Sequence, residues 1–246
     1  MRKIVGSDEL INGIERFCLW ISDDNVGIAR TIPPIVERLE RIVEYRRTGS
    51  ERGKLGLDTP YKFERTITGT RSEIVIPRVS SERREYLPVG YLSADVIVSD
   101  AAMAIYDPPL SAFALLSSRL HWVWVRAVCG QLETRIRYSN TLGWNTFPVP
   151  TLTDKNKIDL TRSAEGILLA REAHFPATLA DLYDPNKMPA DLRAAHERND
   201  EVLERIYIGR RFRNDTERLE KLFDLYTKMI ASPKAAARKR KAGASA

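Results

Sequence analysis

The sequence has few of the residues from which metal sites and disulfide frameworks are built. Its 246 residues include two cysteines, Cys18 and Cys129, and three histidines, His121, His174 and His196. None of them recurs at the spacing of zinc ligands, and two cysteines in separate apolar stretches do not make a disulfide framework. The composition therefore argues against a disulfide-stapled scaffold and a zinc module, and it predicts buried structural thiols in a reducing cytoplasm.

Long apolar runs are also missing. No segment approaches the roughly 20 apolar residues that span a bilayer, and the N-terminus lacks the apolar core of a signal peptide. The longest candidate, residues 115–128, is interrupted by Arg119, His121 and Arg126, which favours a buried helix. We therefore expect no membrane partner and a cytoplasmic location.

Positive charge is concentrated at one end of the chain. The net charge is +6, but residues 234–246 hold five lysines and arginines and no acid. The rest of the chain therefore carries a net charge of only +1, so bulk charge is weak evidence for a nucleic-acid partner. We expect the basic tail, residues 232–246, to be disordered.

The patterning predicts an α+β fold, with a mixed α/β domain over residues 1–150 followed by an all-α domain over residues 151–231. A proline pair, Pro33-Pro34, opens a helix that should end near Gly49. The other predicted elements are strands at residues 16–21 (buried), 73–77 and 95–98, one long helix over residues 110–130 stopped by Gly130, and helices over residues 160–175, 189–207 and 215–230.

Residues 131–138 (QLETRIRY) alternate polar and apolar side chains with the period of a β-strand. One continuous strand would place Glu133, Arg135 and Arg137 on the same face. Arginine can donate two hydrogen bonds to guanine N7 and O6, and glutamate can accept one from the amino group of cytosine. The row could therefore read a G·C pair, or it could form ordinary salt bridges on a solvated sheet face.

Residues 77–86 (PRVSSERREY) hold a second polar cluster, made of Arg78, Ser80, Ser81, Arg83 and Arg84. Guanidinium and hydroxyl groups are common donors to DNA phosphates, which fix the register of a protein without reading sequence. The alternative is a surface loop in which the arginines pair with the glutamates between them.

Residues 138–150 (YSNTLGWNTFPVP) are too rich in Asn, Thr and Pro for a regular helix. They could be a linker into the helical domain, or a loop in which Ser139, Asn140 and Asn145 contact DNA or a neighbouring domain. In the last predicted helix, Leu219, Phe223 and Tyr226 share one face, which could dock on a separate methyltransferase or nuclease subunit.

Four blocks, in this order, carry a resemblance to a known family: RKIVGSDELINGIERFCLW, IPRVSSERREYLPVGYL, WVRAVCGQLETRIRYSNTLGWNTFPVP and ATLADLYDPNKMPADLRAAHERND. They resemble the C-terminal region of MmeI-like (type IIL or IIG) restriction–modification enzymes, long chains that fuse an endonuclease, an adenine-specific DNA methyltransferase and a target-recognition domain. The resemblance covers nearly the whole chain except the basic tail. One departure is NTFPVP at residues 145–150, where the family often has NNFPWP.

The resemblance implies a DNA target-recognition domain over residues 1–150 and a C-terminal helical domain over residues 151–231. It implies base reading by Glu133, Arg135 and Arg137, with Thr134 as a further candidate. Double-stranded DNA and the methyltransferase domain of the parent enzyme are the implied partners. We expect this chain to lack the catalytic domain, as an excised fragment or a truncated reading frame.

Catalytic motifs of the parent enzyme are not found in the sequence. No glycine-rich strand–turn–helix precedes Asp107-Pro108-Pro109-Leu110, and Leu110 stands where an aromatic residue would stack on a flipped adenine. We therefore interpret this motif as a turn into a helix. The chain is expected to bind no cofactor, with S-adenosylmethionine and magnesium needed only by the parent enzyme.

Overall fold

The computed structural model describes residues 1–64 and 66–231, so the predicted tail, residues 232–246, lies outside the described residues. None of the described helices is both long and apolar enough to cross a membrane. The helices are α1 (Ser7–Asn12), α2 (Val26–Ala29), α3 (Pro33–Thr48), α4 (Glu51–Lys54), α5 (Leu110–Leu116), α6 (Arg119–Val128), α7 (Asp154–Glu172), α8 (Leu179–Leu182), α9 (Ala190–Ile208) and α10 (Asp215–Ala231), with a π-helical turn at Asn140–Trp144.

Among the described residues, three small sheets lie in the first part of the chain, which confirms the predicted α+β fold followed by a helical region. Their strand orders are β2-β1-β6, β5-β3-β7 and β4-β9-β8. The strands are β1 (Arg2–Val5), β2 (Phe17–Cys18), β3 (Ser72–Pro77), β4 (Val79–Ser80), β5 (Gly90–Ser93), β6 (Ile97–Val98), β7 (Ala102–Tyr106), β8 (Gly130–Leu132) and β9 (Arg135–Arg137).

Strand β3 is the centre of the largest sheet and is buried on both faces. Ile74 and Ile76 join the main core, while Val75, on the opposite face, packs with Val5 and Leu10 in a smaller cluster. This two-sided burial explains the continuous apolar run in β3, because neither face of the strand meets water.

Helix α3 confirms the prediction made from its ends. Pro33 and Pro34 occupy its first turn, where a missing backbone N–H costs nothing, and the helix ends at Thr48 before Gly49. The buried strand predicted over residues 16–21 is wrong. Only Phe17–Cys18 is a strand, and Phe17 is 54% exposed, because β2 pairs with β1 alone at the edge of its sheet.

The single helix predicted over residues 110–130 is also wrong, because the segment forms two helices that meet at Ser117 and Ser118. The hydroxyl of Ser118 accepts a hydrogen bond from the backbone N–H of His121 and so caps α6. A serine N-cap stabilises a new helix start and competes with continuation of the old helix. Gly130 does not stop α6, which ends at Val128, but begins strand β8.

The helical region packs against the first part of the chain through α7, α9 and α10. The three helices predicted there are confirmed, and α7 begins at Asp154, ahead of the predicted start, because Thr153 caps it. Buried polar groups join the two regions. The carboxylate of Asp200 in α9 accepts hydrogen bonds from the Tyr86 hydroxyl (2.9 Å) and the Arg119 backbone N–H (2.7 Å).

Burial raises the pKa of Asp200 to about 7. Between the ordinary aspartate pKa of about 4 and this value, the folded chain holds a proton that the unfolded chain has lost, so stability falls as pH rises through that window. The buried His121 and His196, whose pKa values burial lowers, act in the opposite direction as pH rises towards about 6.5. Only a comparison with a variant therefore isolates Asp200.

We expect the stability of the wild type relative to Asp200→Asn to fall by about 2–3 kcal/mol from about pH 5 to about pH 7. The histidines titrate equally in both proteins and cancel in the difference. Urea unfolding of both proteins across this range measures it. A constant difference between the two proteins would show that Asp200 keeps an ordinary pKa in the folded chain.

Candidate nucleic-acid interface

The segment predicted to read bases is a β-hairpin and not the continuous strand that the alternation suggested. Strands β8 and β9 pair antiparallel, with Leu132 opposite Arg135, and Glu133 and Thr134 form the connection. Glu133 has a backbone φ of 58°, in the left-handed region that is uncommon for residues other than glycine. This conformation reverses the chain, so Glu133 lies at the tip and not in a row along one strand.

Arg135 and Arg137 share one face of β9, because side chains two apart in a strand point the same way. Both are exposed, whereas Ile136 and Tyr138 between and after them are 3% and 2% exposed and pack into the main core. Strand β9 is held between β8 and β4, where Val79 pairs with Arg137. The two guanidinium groups therefore face solvent from a strand that is fixed on both edges.

Glu133 and Arg135 form an ion pair at the hairpin tip, with 2.8 Å between Arg135 Nη2 and Glu133 Oε2. Their side chains are 75% and 48% exposed. An ion pair this exposed contributes about 0–1 kcal/mol, so an incoming ligand can replace it at little cost. The pair thus offers one acceptor and one two-pronged donor, both accessible to a duplex, and exposed Thr134 lies beside them.

The predicted phosphate-contacting residues fall into two groups. Ser80 is 3% exposed and its hydroxyl accepts a hydrogen bond from Arg84 (3.1 Å), which itself is half-buried. Ser80 is therefore not at the surface as predicted, because pairing of β4 with β9 turns it inward. Arg83 is exposed, while Arg78 and Ser81 are partly exposed.

Asn140 and Asn145 are exposed in and after the π-helical turn, and the partly exposed Ser139 caps that turn by accepting from the Leu142 backbone N–H (3.4 Å). The turn follows β9 after Tyr138. These three residues thus lie on the chain segment next to the hairpin.

Unpaired positive charge accumulates around this hairpin. Among the described residues, no carboxylate lies within 4 Å of the guanidinium groups of Arg83, Arg126 or Arg137, whereas Arg210 and Arg218 in the helical region each pair with a glutamate. Arg126 was not among the residues predicted to contact DNA. The sequence does carry a signal for its contact with Trp122, because residues four apart on a helix lie side by side. The surface near the hairpin is therefore suited to a polyanion.

The carboxylate of Asp107 is occupied by the protein itself. It accepts hydrogen bonds from the backbone N–H groups of Thr70, Arg71 and Ser72, and those from Thr70 and Arg71 lower its pKa to about 2. Pro109 directly precedes helix α5. The donor set does not fit a methyltransferase motif, which must leave such a side chain free to grip adenine. No cluster of metal-ligating side chains occurs in residues 1–64 and 66–231.

The helical face proposed for docking is partly used inside the chain. Phe223 and Tyr226 lie 5.1 Å and 5.6 Å (ring centroids) from Trp124 in α6, and Leu219 is partly buried. Helix α10 thus uses part of this face to cover α6, while Phe223 remains 45% exposed and could still contact a separate subunit.

Comparison with known proteins gives matches along nearly the whole chain. Family models described as "MmeI, target recognition domain" and "MmeI, C-terminal domain" match residues 1–151 and 152–232. DNA methyltransferase A of Bacillus subtilis (strain 168) is 42% identical over 230 residues, which are 93% of this chain and 26% of that protein.

A solved structure of the Type IIL restriction-modification enzyme MmeI in complex with DNA superposes with a TM-score of 0.89 at 34% identity. The match covers 94% of this chain and 31% of the MmeI chain. This chain therefore spans less than a third of the length of either similar protein.

Proposed function

This chain belongs to the MmeI family, and we propose that it is the sequence-specific DNA-recognition module of a restriction–modification adenine methyltransferase. In this proposal residues 1–150 recognise the target and residues 151–231 form the helical domain behind them. Its partners are double-stranded DNA and the methyltransferase domain of the same parent chain or complex, in the cytoplasm. S-adenosylmethionine and magnesium belong to the parent enzyme and not to this chain.

One observation carries the proposal: the β8–β9 hairpin presents Glu133, Arg135 and Arg137 to solvent from a strand held on both edges. B-DNA's major groove admits a two-stranded ribbon of this kind, and its G·C edges match a carboxylate and a guanidinium. The solved relative supports this use, since its structure contains DNA. In this proposal Arg78, Ser81 and Arg83, which lie in and after the β4 region, contact phosphates.

Selection from a pool of randomised duplexes, with the 246-residue chain as the binding protein, tests the proposal. We expect weak binding with a recurring sequence in the recovered duplexes, and an affinity that falls steeply as salt rises because phosphate contacts release counterions. Binding with equal affinity to every duplex, or none at low salt, would contradict the proposed function. The Asp107→Ala variant is a control that should recover the same sequence, because the Asp107 carboxylate holds the backbone of residues 70–72 and lies outside the hairpin.

A further inference from the structure

Arg126 lies in the last turn of α6 and is exposed, and its guanidinium carbon sits 5.3 Å from the ring centre of Trp122. Trp122 itself is fully buried in the main core. A guanidinium that lies over a buried indole is attracted by the ring face, and this contact restrains the side chain before any ligand arrives.

The same indole also fixes the loop that follows β4. Trp122 Nε1 donates a hydrogen bond to the backbone carbonyl of Arg84 (2.8 Å). One buried side chain therefore holds both the Arg126 guanidinium and the segment that carries Arg83 and Arg84. Arg83, Arg84 and Arg126 thus form a basic edge around Trp122, which we call the Trp122 edge.

No carboxylate of the described residues forms an ion pair with Arg126 at the Trp122 edge, although the charges of Asp215 and Glu82 act on it from farther away. Arg119, two turns earlier on α6, pairs with Asp215 at 2.5 Å. Arg126 has no carboxylate within 4 Å among the described residues, and partial burial together with the nearby charge of Arg119 lowers its pKa. A bound anion would remove the cost of this unpaired charge.

The chain connects the Trp122 edge directly to the hairpin. Helix α6 ends at Val128, and two residues later Gly130 pairs with Arg137 across the β8–β9 ladder. A duplex whose bases meet the hairpin tip has phosphates spaced along its backbone on either side of that contact. Planar guanidinium groups suit phosphates because they can donate two parallel hydrogen bonds.

We propose that Arg126, stacked on Trp122, binds a phosphate of the DNA backbone beside the base pairs that the hairpin reads. This role rests on the proposed DNA-recognition function and adds to it a contact that sets register without reading sequence. Lysine cannot reproduce the stacked, two-pronged geometry, so a charge alone should restore binding only in part.

The salt dependence of binding by Arg126→Gln tests this role. Against the selected duplex, we expect the slope of log K against log salt to become shallower by about one, and affinity to fall about fivefold to tenfold at physiological salt. The affinity of Arg126→Gln for a scrambled duplex should fall by the same factor. The affinity of Arg126→Lys should lie between those of Arg126→Gln and the wild type. Arg162→Gln, which removes an exposed arginine of α7, is the matched control and should leave the slope unchanged.

A second measurement locates the contact. Neutral methylphosphonates are placed one at a time along the selected duplex. A methylphosphonate at one position should weaken DNA binding by the wild type but not by Arg126→Gln, because the variant has already lost the contact with that phosphate. An unchanged slope with lower affinity and lower unfolding stability would assign Arg126 a structural role only, and a changed preference at one base pair would make it a base reader. Either result overturns the proposal.

Failure of the DNA-recognition function and failure of the Arg126 phosphate contact give different results. If the wild-type chain selects no sequence, the DNA-recognition function fails and this role fails with it. If the wild type selects a sequence and Arg126→Gln behaves like the wild type in both measurements, only the phosphate contact fails.

Discussion

Replacing Arg218 with alanine is expected to lower the free energy of unfolding by about 3–5 kcal/mol. Arg218 donates to Glu204 from Nε (2.8 Å) and Nη2 (2.5 Å), and the side chain of Glu204 is 0% exposed. The variant leaves this carboxylate with the backbone N–H of Phe212 and with Arg211 at 4.0 Å. A buried charge without its close partner is strongly unfavourable, because the protein interior cannot solvate it.

Urea unfolding of three variants checks this expectation. Arg205→Ala is the matched control, because Arg205 and Glu201 form an exposed pair on α9 that should contribute at most about 1 kcal/mol. The double variant Arg218→Ala/Glu204→Gln should regain part of the loss, since no ion is then buried. If Arg218→Ala is no less stable than Arg205→Ala, the buried ion pair does not hold α10 to α9.

Replacing Arg135 with alanine is expected to abolish discrimination at one base pair of the target and to weaken binding of the selected duplex by about 1–3 kcal/mol. The guanidinium lies on the exposed face of β9, where it can donate two hydrogen bonds to guanine. Discrimination at the other base pairs should persist, because Arg137 and the hairpin backbone stay in place. Competition binding against duplexes that each carry one base-pair change measures the effect position by position.

Arg135→Lys separates base reading from charge. Lysine keeps the positive charge but not the planar pair of donors, so the salt slope should stay close to the wild type while discrimination at the same base pair relaxes. Arg205→Ala again serves as the control and should change neither quantity. Equal discrimination at every position by Arg135→Ala and the wild type would remove Arg135 from the base-reading residues.

Much of the helical architecture could be predicted because helix signals are local. The proline pair at Pro33 and Pro34 marks the start of α3, and apolar spacing marks α9 and α10. The break between α5 and α6 was missed although Ser118, its cap, is a recognisable signal. The apolar residues before and after Ser118 are equally compatible with one long buried helix and with two short ones, so the pattern does not show the break.

The hairpin could not be derived from alternation alone. Two-residue β-hairpin turns usually contain glycine or asparagine, because these residues adopt positive φ easily. In this hairpin the residue with positive φ is Glu133. The period-two pattern holds within β9 but breaks at the reversal, because Leu132 pairs with Arg135 and shares its exposed face instead of the buried face of Ile136. The exposed arginines of β9 could therefore be predicted from the sequence, but the position of Glu133 at the hairpin tip could not.

The sequence by itself determined the family, the helical second half and the exposed arginines of β9. These properties depend on residue identity and on neighbours within one helical turn or one strand. Only the tertiary structure decided that Ser80 is buried, that Glu133 stands at a hairpin tip and that Arg126 stacks at the edge of the same surface. Each of these depends on strand pairing or packing between distant segments, and no short-range pattern records which partner a side chain will meet.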